Sequence, residues 1–213
     1  MTARIALVAA TVCACLFLPA PSNAFDQLAG KERIGVRSGG LITIDGLNDA
    51  YGNGWDLTLF FSERLTHHLL LDVRLGALYL GELKFEHLDD TLLHQSGIQG
   101  SMRILYISLG PMVGASLGGP WSMHAAAGAG IYSVSMVFTD VLTPFDLSDQ
   151  KFGFNGGLGF ARRIAGNWSI ETDATAHYFM IEENIDDLYF AFTDGADAPL
   201  IFDVTLGLTL DLR

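Results

Sequence analysis

The last fourteen residues, Leu200 to Arg213, read LIFDVTLGLTLDLR and alternate with a period of two. Leu200, Phe202, Val204, Leu206, Leu208, Leu210 and Leu212 share one face. Ile201, Asp203, Thr205, Gly207, Thr209 and Asp211 share the other. A two-residue period belongs to a β-strand with one apolar and one largely polar side. The stretch is long for a soluble strand, and its leucine-rich face needs an apolar surrounding that a bilayer supplies without a second protein layer.

The start of the chain reads differently. Arg4 gives a positive n-region, Ile5 to Leu18 is an apolar run, and Pro19 to Ala24 ends on a small residue suited to cleavage. This is the pattern of a secretory signal peptide over residues 1–24, which leaves residues 25–213 as one domain. The run is too short, and wrongly flanked, for a spanning helix. Both cysteines, Cys13 and Cys15, fall inside it, so the remainder has no thiol, disulfide or thiolate ligand. Losing Arg4 shifts the formal net charge from -12 to -13, which argues against nucleic acid as a partner. No later segment has the apolar length of a spanning helix, yet half the chain is hydrophobic and 24 residues are glycine. A chain of this kind crosses a membrane only as strands closed into a barrel, because hydrocarbon does not tolerate open backbone polar groups.

The pattern predicts eight strands: 31–40, 55–61, 69–80, 98–113, 121–138, 152–160, 168–180 and 200–213. In the third, Leu71, Val73, Leu75, Ala77 and Tyr79 oppose Asp72, Arg74 and Gly76. In the seventh, Trp168, Ile170, Ala174, Ala176 and Tyr178 oppose Ser169, Glu171, Asp173, Thr175 and His177. The fourth has no fixed phase, since Ile104 to Ile107 is apolar on both parities. Connections at 62–68, 115–120 and 162–167 are short. Those at 43–54, 81–97, 139–150 and 182–199 are longer and hold most of the loop acid, including Asp140, Asp146 and Asp149. An even strand number with short turns at one end and long acidic loops at the other is the layout of an outer-membrane barrel. The expected fold is an all-β, eight-stranded antiparallel transmembrane up-and-down β-barrel. Trp55, Tyr79, Trp121, Trp168 and Tyr178 lie near strand ends, where interfacial girdles form.

With the leader, the terminal strand and the glycine-aromatic segment Phe152-Gly153-Phe154-Asn155-Gly156-Gly157-Leu158-Gly159-Phe160 in view, the chain resembles the small eight-stranded outer-membrane β-barrel proteins of Gram-negative bacteria. The segment is similar to the F-G-x-N-x-G-x-G pattern of such domains, and the resemblance spans residues 24–213. It implies residence in the outer membrane and insertion by the barrel-assembly machinery, with lipid and lipopolysaccharide as surroundings. Members of that family end on an aromatic residue that the assembly machinery recognises, whereas this chain ends Leu212-Arg213. The superfamily spans structural proteins, small channels, adhesion proteins and lipid-modifying enzymes, so fold alone does not fix function.

Residue chemistry narrows the choice. Lipid A deacylases of this architecture place a histidine and a serine two apart on a late strand. Here Tyr178 and Phe179 follow His177, so the hydroxyl is missing. Ser133 and Ser135 have no histidine close in sequence, and Asp173 is too far along the strand from His177 to orient it directly. His67 and His68 lack a third metal ligand, and no phosphate-binding glycine loop precedes a helix. The expectation is therefore no enzyme, no cofactor and no metal. Eight strands enclose room for side chains rather than a wide channel. Asp72, Arg74, Glu171, Asp173, His177, Asp203 and Asp211 are expected to form a lumen polar network, with Asp56 and Thr205 on the same faces and Arg37 or Arg103 as further partners for the acids. The leading function is a structural or surface-interaction barrel whose acidic loops attract divalent cations. A narrow channel or a transporter of small hydrophobic compounds comes second, followed by lipid A modification and by a soluble lipocalin-like binding protein. The last of these would turn the apolar faces inward.

Overall fold

The computed structural model describes residues 32–44, 53–66, 69–82, 99–139, 145–179 and 200–212. The leader region and the acidic stretches 83–98 and 180–199 lie outside the described residues. Eight strands follow in chain order: β1 (Arg33–Ile44), β2 (Gly54–Arg64), β3 (Leu70–Glu82), β4 (Gln99–Gly118), β5 (Trp121–Thr139), β6 (Phe145–Ala165), β7 (Trp168–Phe179) and β8 (Leu200–Asp211). Each pairs antiparallel with the next, and β1 closes on β8 with Val36 opposite Leu208. The result is an eight-stranded up-and-down barrel with no free sheet edge where the ladder closes.

The alternation determines which way each face points. On β8, Asp203, Thr205, Thr209 and Asp211 are buried inside, while Val204, Leu206 and Leu208 are exposed outside; Leu206 keeps 61% of its surface accessible. Leu59, Leu75, Ile107, Ile131, Phe154 and Ile170 are exposed around the rest of the wall. A soluble lipocalin-like barrel has the opposite polarity, so that alternative does not describe this molecule. A continuous outward apolar surface of this size calls for hydrocarbon around it.

The short connections are tighter than the sequence suggests. Gly118 pairs with Trp121 and Ala165 with Trp168, leaving two-residue loops at Gly119-Pro120 and Gly166-Asn167. Gly119 and Gly166 have φ of 59° and 54°, in the left-handed region that other residues enter at a cost. The stretches 115–118 and 162–165 are therefore strand. The largest difference lies at 145–150, expected as part of an acidic loop. These residues belong to β6 and pair with β5, Phe145 opposite Phe138 and Asp149 opposite Val134. Strands β4, β5 and β6 run to 20, 19 and 21 residues, whereas a tilted membrane strand needs about 9–11. Their excess lies at the loop end, where water is available to carboxylates such as Asp149.

Aromatic residues mark both rims. At the loop end, exposed Trp55 and Tyr79 sit opposite each other on β2 and β3 with ring centroids 5.8 Å apart. At the turn end, Trp121 and Trp168 are exposed beside the two tight turns, and the Arg162 guanidinium lies 5.3 Å from the Trp121 ring. Aromatic rings and arginines at these heights suit the boundary between hydrocarbon and headgroups.

Candidate functional site in the barrel interior

Inward positions on every strand converge in the lumen. Toward the turn end, buried Arg33 of β1 contacts Glu171 of β7 and lies 3.4 Å from Asp211 of β8. One layer further from the turns, Arg37 of β1 contacts Asp173 of β7, and the same carboxylate is 2.8 Å from Nε2 of His124 on β5. On β3, the Arg74 Nε–H donates to Asp72 at 2.5 Å, and the Ser62 hydroxyl donates to the other Asp72 oxygen at 2.7 Å. The first two sets of contacts join β1 to β7 and β5 to β7, strands that are not neighbours in the wall. The burial of both partners makes each pair a brace that fails badly if only one member is removed.

A second group occupies the middle of the lumen. His177 Nε2 is 2.7 Å from Asp203 Oδ2, and His177 Nδ1 is 3.2 Å from the Tyr132 hydroxyl. Asn155 donates to that hydroxyl at 3.1 Å. Tyr106 meets the Thr58 hydroxyl at 2.7 Å, and Thr58 donates to Asp56 at 3.0 Å. The Tyr106 and Tyr132 rings stack with centroids 5.3 Å apart, and Phe179 stacks on Tyr132 at 5.7 Å. Above them, toward the loops, the inward residues turn apolar: Leu41, Leu78, Leu80, Met102, Ile104, Val134 and Ile201 are all buried. This apolar layer explains why β4 has no readable phase. Met102 and Ile104 point into an apolar layer while Leu105 and Ile107 point to the outside, so both parities are hydrophobic.

Two lumen glycines are there to make room. Gly76 sits directly opposite Tyr106, and Gly159 directly opposite His124. A Cβ at either position would overlap the ring of its partner. The ring lies across the glycine backbone, which fixes its height in the lumen.

Asp72, Arg74, Glu171, Asp173, His177, Asp203 and Asp211 are all buried inside, together with Asp56 and Thr205. The seven expected network residues fall into four local groups: Asp72 with Arg74, Glu171 and Asp211 around Arg33, His177 with Asp203, and Asp173 between Arg37 and His124. Arg37 faces the lumen, but Arg103 lies on the exposed outer side of β4 and cannot reach these acids. Its parity is the reason, because inward Met102 and Ile104 flank it. Sequence reading missed the weight of Arg33, His124, Tyr106 and Tyr132. All four share a face with polar or glycine residues, but each has a main polar partner two strands away: Arg33 with Glu171, His124 with Asp173, Tyr106 with Thr58 and Tyr132 with His177. Ser133 and Ser135 sit on the opposite parity from His124. Neither the His124 nor the His177 contact set includes a serine.

No protein-family model matches the chain, and no curated protein matches it in sequence. Solved structures do match its shape. A major outer membrane protein from Thermus thermophilus superposes with a TM-score of 0.59 at 17% identity, covering 85% of this chain and 99% of that one. Neisserial surface protein A superposes with a TM-score of 0.56 at 8% identity, covering 85% and 97%. Closed ladder, outward apolar wall and these superpositions agree: the chain is an all-β, eight-stranded antiparallel barrel with the fold of outer-membrane barrel proteins.

Proposed function

We propose that this chain is an integral outer-membrane barrel of a Gram-negative bacterium, with a structural or surface-interaction role and a lumen that does not conduct. The observation that carries the reading is the filling of the lumen. Charged braces cross its turn-side half, an aromatic and histidine layer fills the middle, and a buried apolar layer lies beneath the loops. An ion crossing that layer would have to shed much of its hydration among mainly apolar side chains. Residence in the outer membrane is supported by the lipid-suited outer wall and by the shared fold of an outer membrane protein and a surface protein. Lipid and lipopolysaccharide then form its surroundings, with the barrel-assembly machinery inserting it after removal of residues 1–24. The acidic stretches 83–98 and 180–199, outside the described residues, carry carboxylates that would attract divalent cations bridging to lipopolysaccharide phosphates.

Planar-bilayer recording of the refolded protein tests the reading. The expected trace is flat, without discrete unitary steps. Stable, reproducible single-channel steps would overturn it and favour the narrow-channel alternative.

A further inference from the structure

Arg103 is left over from the lumen network, and its place on the outer wall is unlike the rest of that wall. Among the described residues no ion pair engages it. From Leu117 to Leu105 every outward side chain of β4 is apolar. At roughly 3.3 Å per residue and a tilt near 45°, that run climbs about 28 Å, enough to cross the apolar band of about 25 Å on an outer-membrane barrel. Arg103 is the next outward residue beyond it and is exposed. It therefore stands where hydrocarbon gives way to headgroups.

The wall turns polar at the same height on the next two strands. Ser135 of β5 is opposite Arg103, and Ser148 of β6 is opposite Ser135. One outward position nearer the membrane centre, Ser133 is opposite Gln150. Below these, outward Ile131 and Phe152 are exposed and apolar again. On its other side Arg103 is opposite Tyr79 of β3, whose ring stacks on Trp55 of β2. One guanidinium thus lies between an aromatic pair and a set of hydroxyl and amide groups on the lipid-facing side. From β3 to β6 the patch crosses three interstrand gaps, about 14 Å. The carboxylates of the same strands, Glu82 opposite Ser101 and Asp146 opposite Val137, stand further toward the loops.

We propose, on the outer-membrane reading above with the loop end outward, that this patch binds the phosphorylated sugar headgroup of lipid A, the membrane anchor of lipopolysaccharide. The Arg103 guanidinium is the charge complement of a phosphate and can hold two of its oxygens at once. Ser133, Ser135, Ser148 and Gln150 offer donors and acceptors to sugar hydroxyls and amides. The width of the patch exceeds what a single phosphodiester headgroup covers, which favours a sugar headgroup over a phospholipid. Unlike the cation bridges drawn from the acidic stretches, this contact needs no divalent ion.

Native mass spectrometry of the refolded barrel in detergent, with a chelator present and titrated with bisphosphorylated lipid A or with phosphatidylglycerol, tests the site. Wild type should bind lipid A more tightly than phosphatidylglycerol. Arg103→Gln should weaken lipid A binding on the order of tenfold, while Arg162→Gln, at the opposite rim, should leave it unchanged. Enzymatic removal of the lipid A phosphates should lower wild-type binding by a similar factor, a test of the charge contact that needs no variant. Equal binding of lipid A by wild type and Arg103→Gln, an equal loss in Arg162→Gln, or equal affinity for phosphatidylglycerol overturns the proposal. Heat-modifiable migration of the same samples separates this outcome from failure of the outer-membrane reading. A folded, heat-modifiable barrel without Arg103-dependent binding removes the site alone, whereas a chain that never forms such a barrel in detergent or bilayers removes the reading beneath it.

Discussion

The brace between Arg37 and Asp173 gives the sharpest test of a packed lumen. Both side chains are buried, at 4% and 3% exposure, so replacing Asp173 with Asn leaves a guanidinium without its counter-charge in the interior. Breaking one partner of such a pair costs about 3–5 kcal/mol. Arg37 also lies 4.4 Å over the Phe60 ring, and that cation–π contact, about 0.5–2 kcal/mol, survives the substitution. The expected loss is therefore near the lower bound, about 3 kcal/mol. Arg37→Met alone should cost a similar amount, because it strands the Asp173 carboxylate with only His124 at 2.8 Å. The double variant removes both charges and should cost much less than the two singles together, giving a coupling of about 2 kcal/mol. The assay is urea unfolding in lipid vesicles with chelator present, followed by tryptophan fluorescence and by heat-modifiable migration on gels. Additive losses, or single losses under about 1 kcal/mol, would show that water screens the pair and that the lumen is open rather than packed.

Other consequences follow from the same geometry. Gly159→Ala places a Cβ against the His124 ring and should destabilise the barrel by about 1–3 kcal/mol in the same unfolding assay; Gly40→Ala, which meets no neighbour, should cost far less. Leu206→Arg puts a charge on the outer wall and should cost about 2–4 kcal/mol in bilayers if that residue lies at mid-depth, with little loss expected for Leu206→Ala. Trp55, Trp121 and Trp168 belong to the rims, so lipids brominated near the headgroup should quench tryptophan emission more strongly than lipids brominated at the chain end.

The wall is far more legible in the sequence than its contents. Alternation on β3, β7 and β8 shows which residues leave the barrel because a lipid-facing side must be apolar at every second position. The inner side obeys no such rule. It need only fill space and satisfy its polar groups, so Met102 and Ile104 line the lumen as readily as Asp72 and Arg74. That freedom is what hides the phase of β4 and misplaces Arg103. Contacts across the lumen are also invisible to a strand-by-strand reading. His124 meets Asp173 from two strands away, 49 positions along the chain, and nothing in either segment names the other. Strand length past the membrane is likewise hard to read. Asp146 and Asp149 look like loop acid, yet the backbone around them keeps the β5 register because carboxylates are no obstacle to a strand that stands in water.

Site-directed labelling tests the central claim, a polar packed interior inside a lipid-facing apolar wall. With residues 1–24 removed the chain has no cysteine, so single cysteines introduced at Leu75, Phe154 and Leu206 can each carry a nitroxide in reconstituted bilayers. All three should be readily relaxed by oxygen, which concentrates in hydrocarbon, and protected from a water-soluble nickel chelate. Efficient relaxation by the nickel chelate at those positions, with protection from oxygen, would contradict the account and place the apolar wall against something other than lipid.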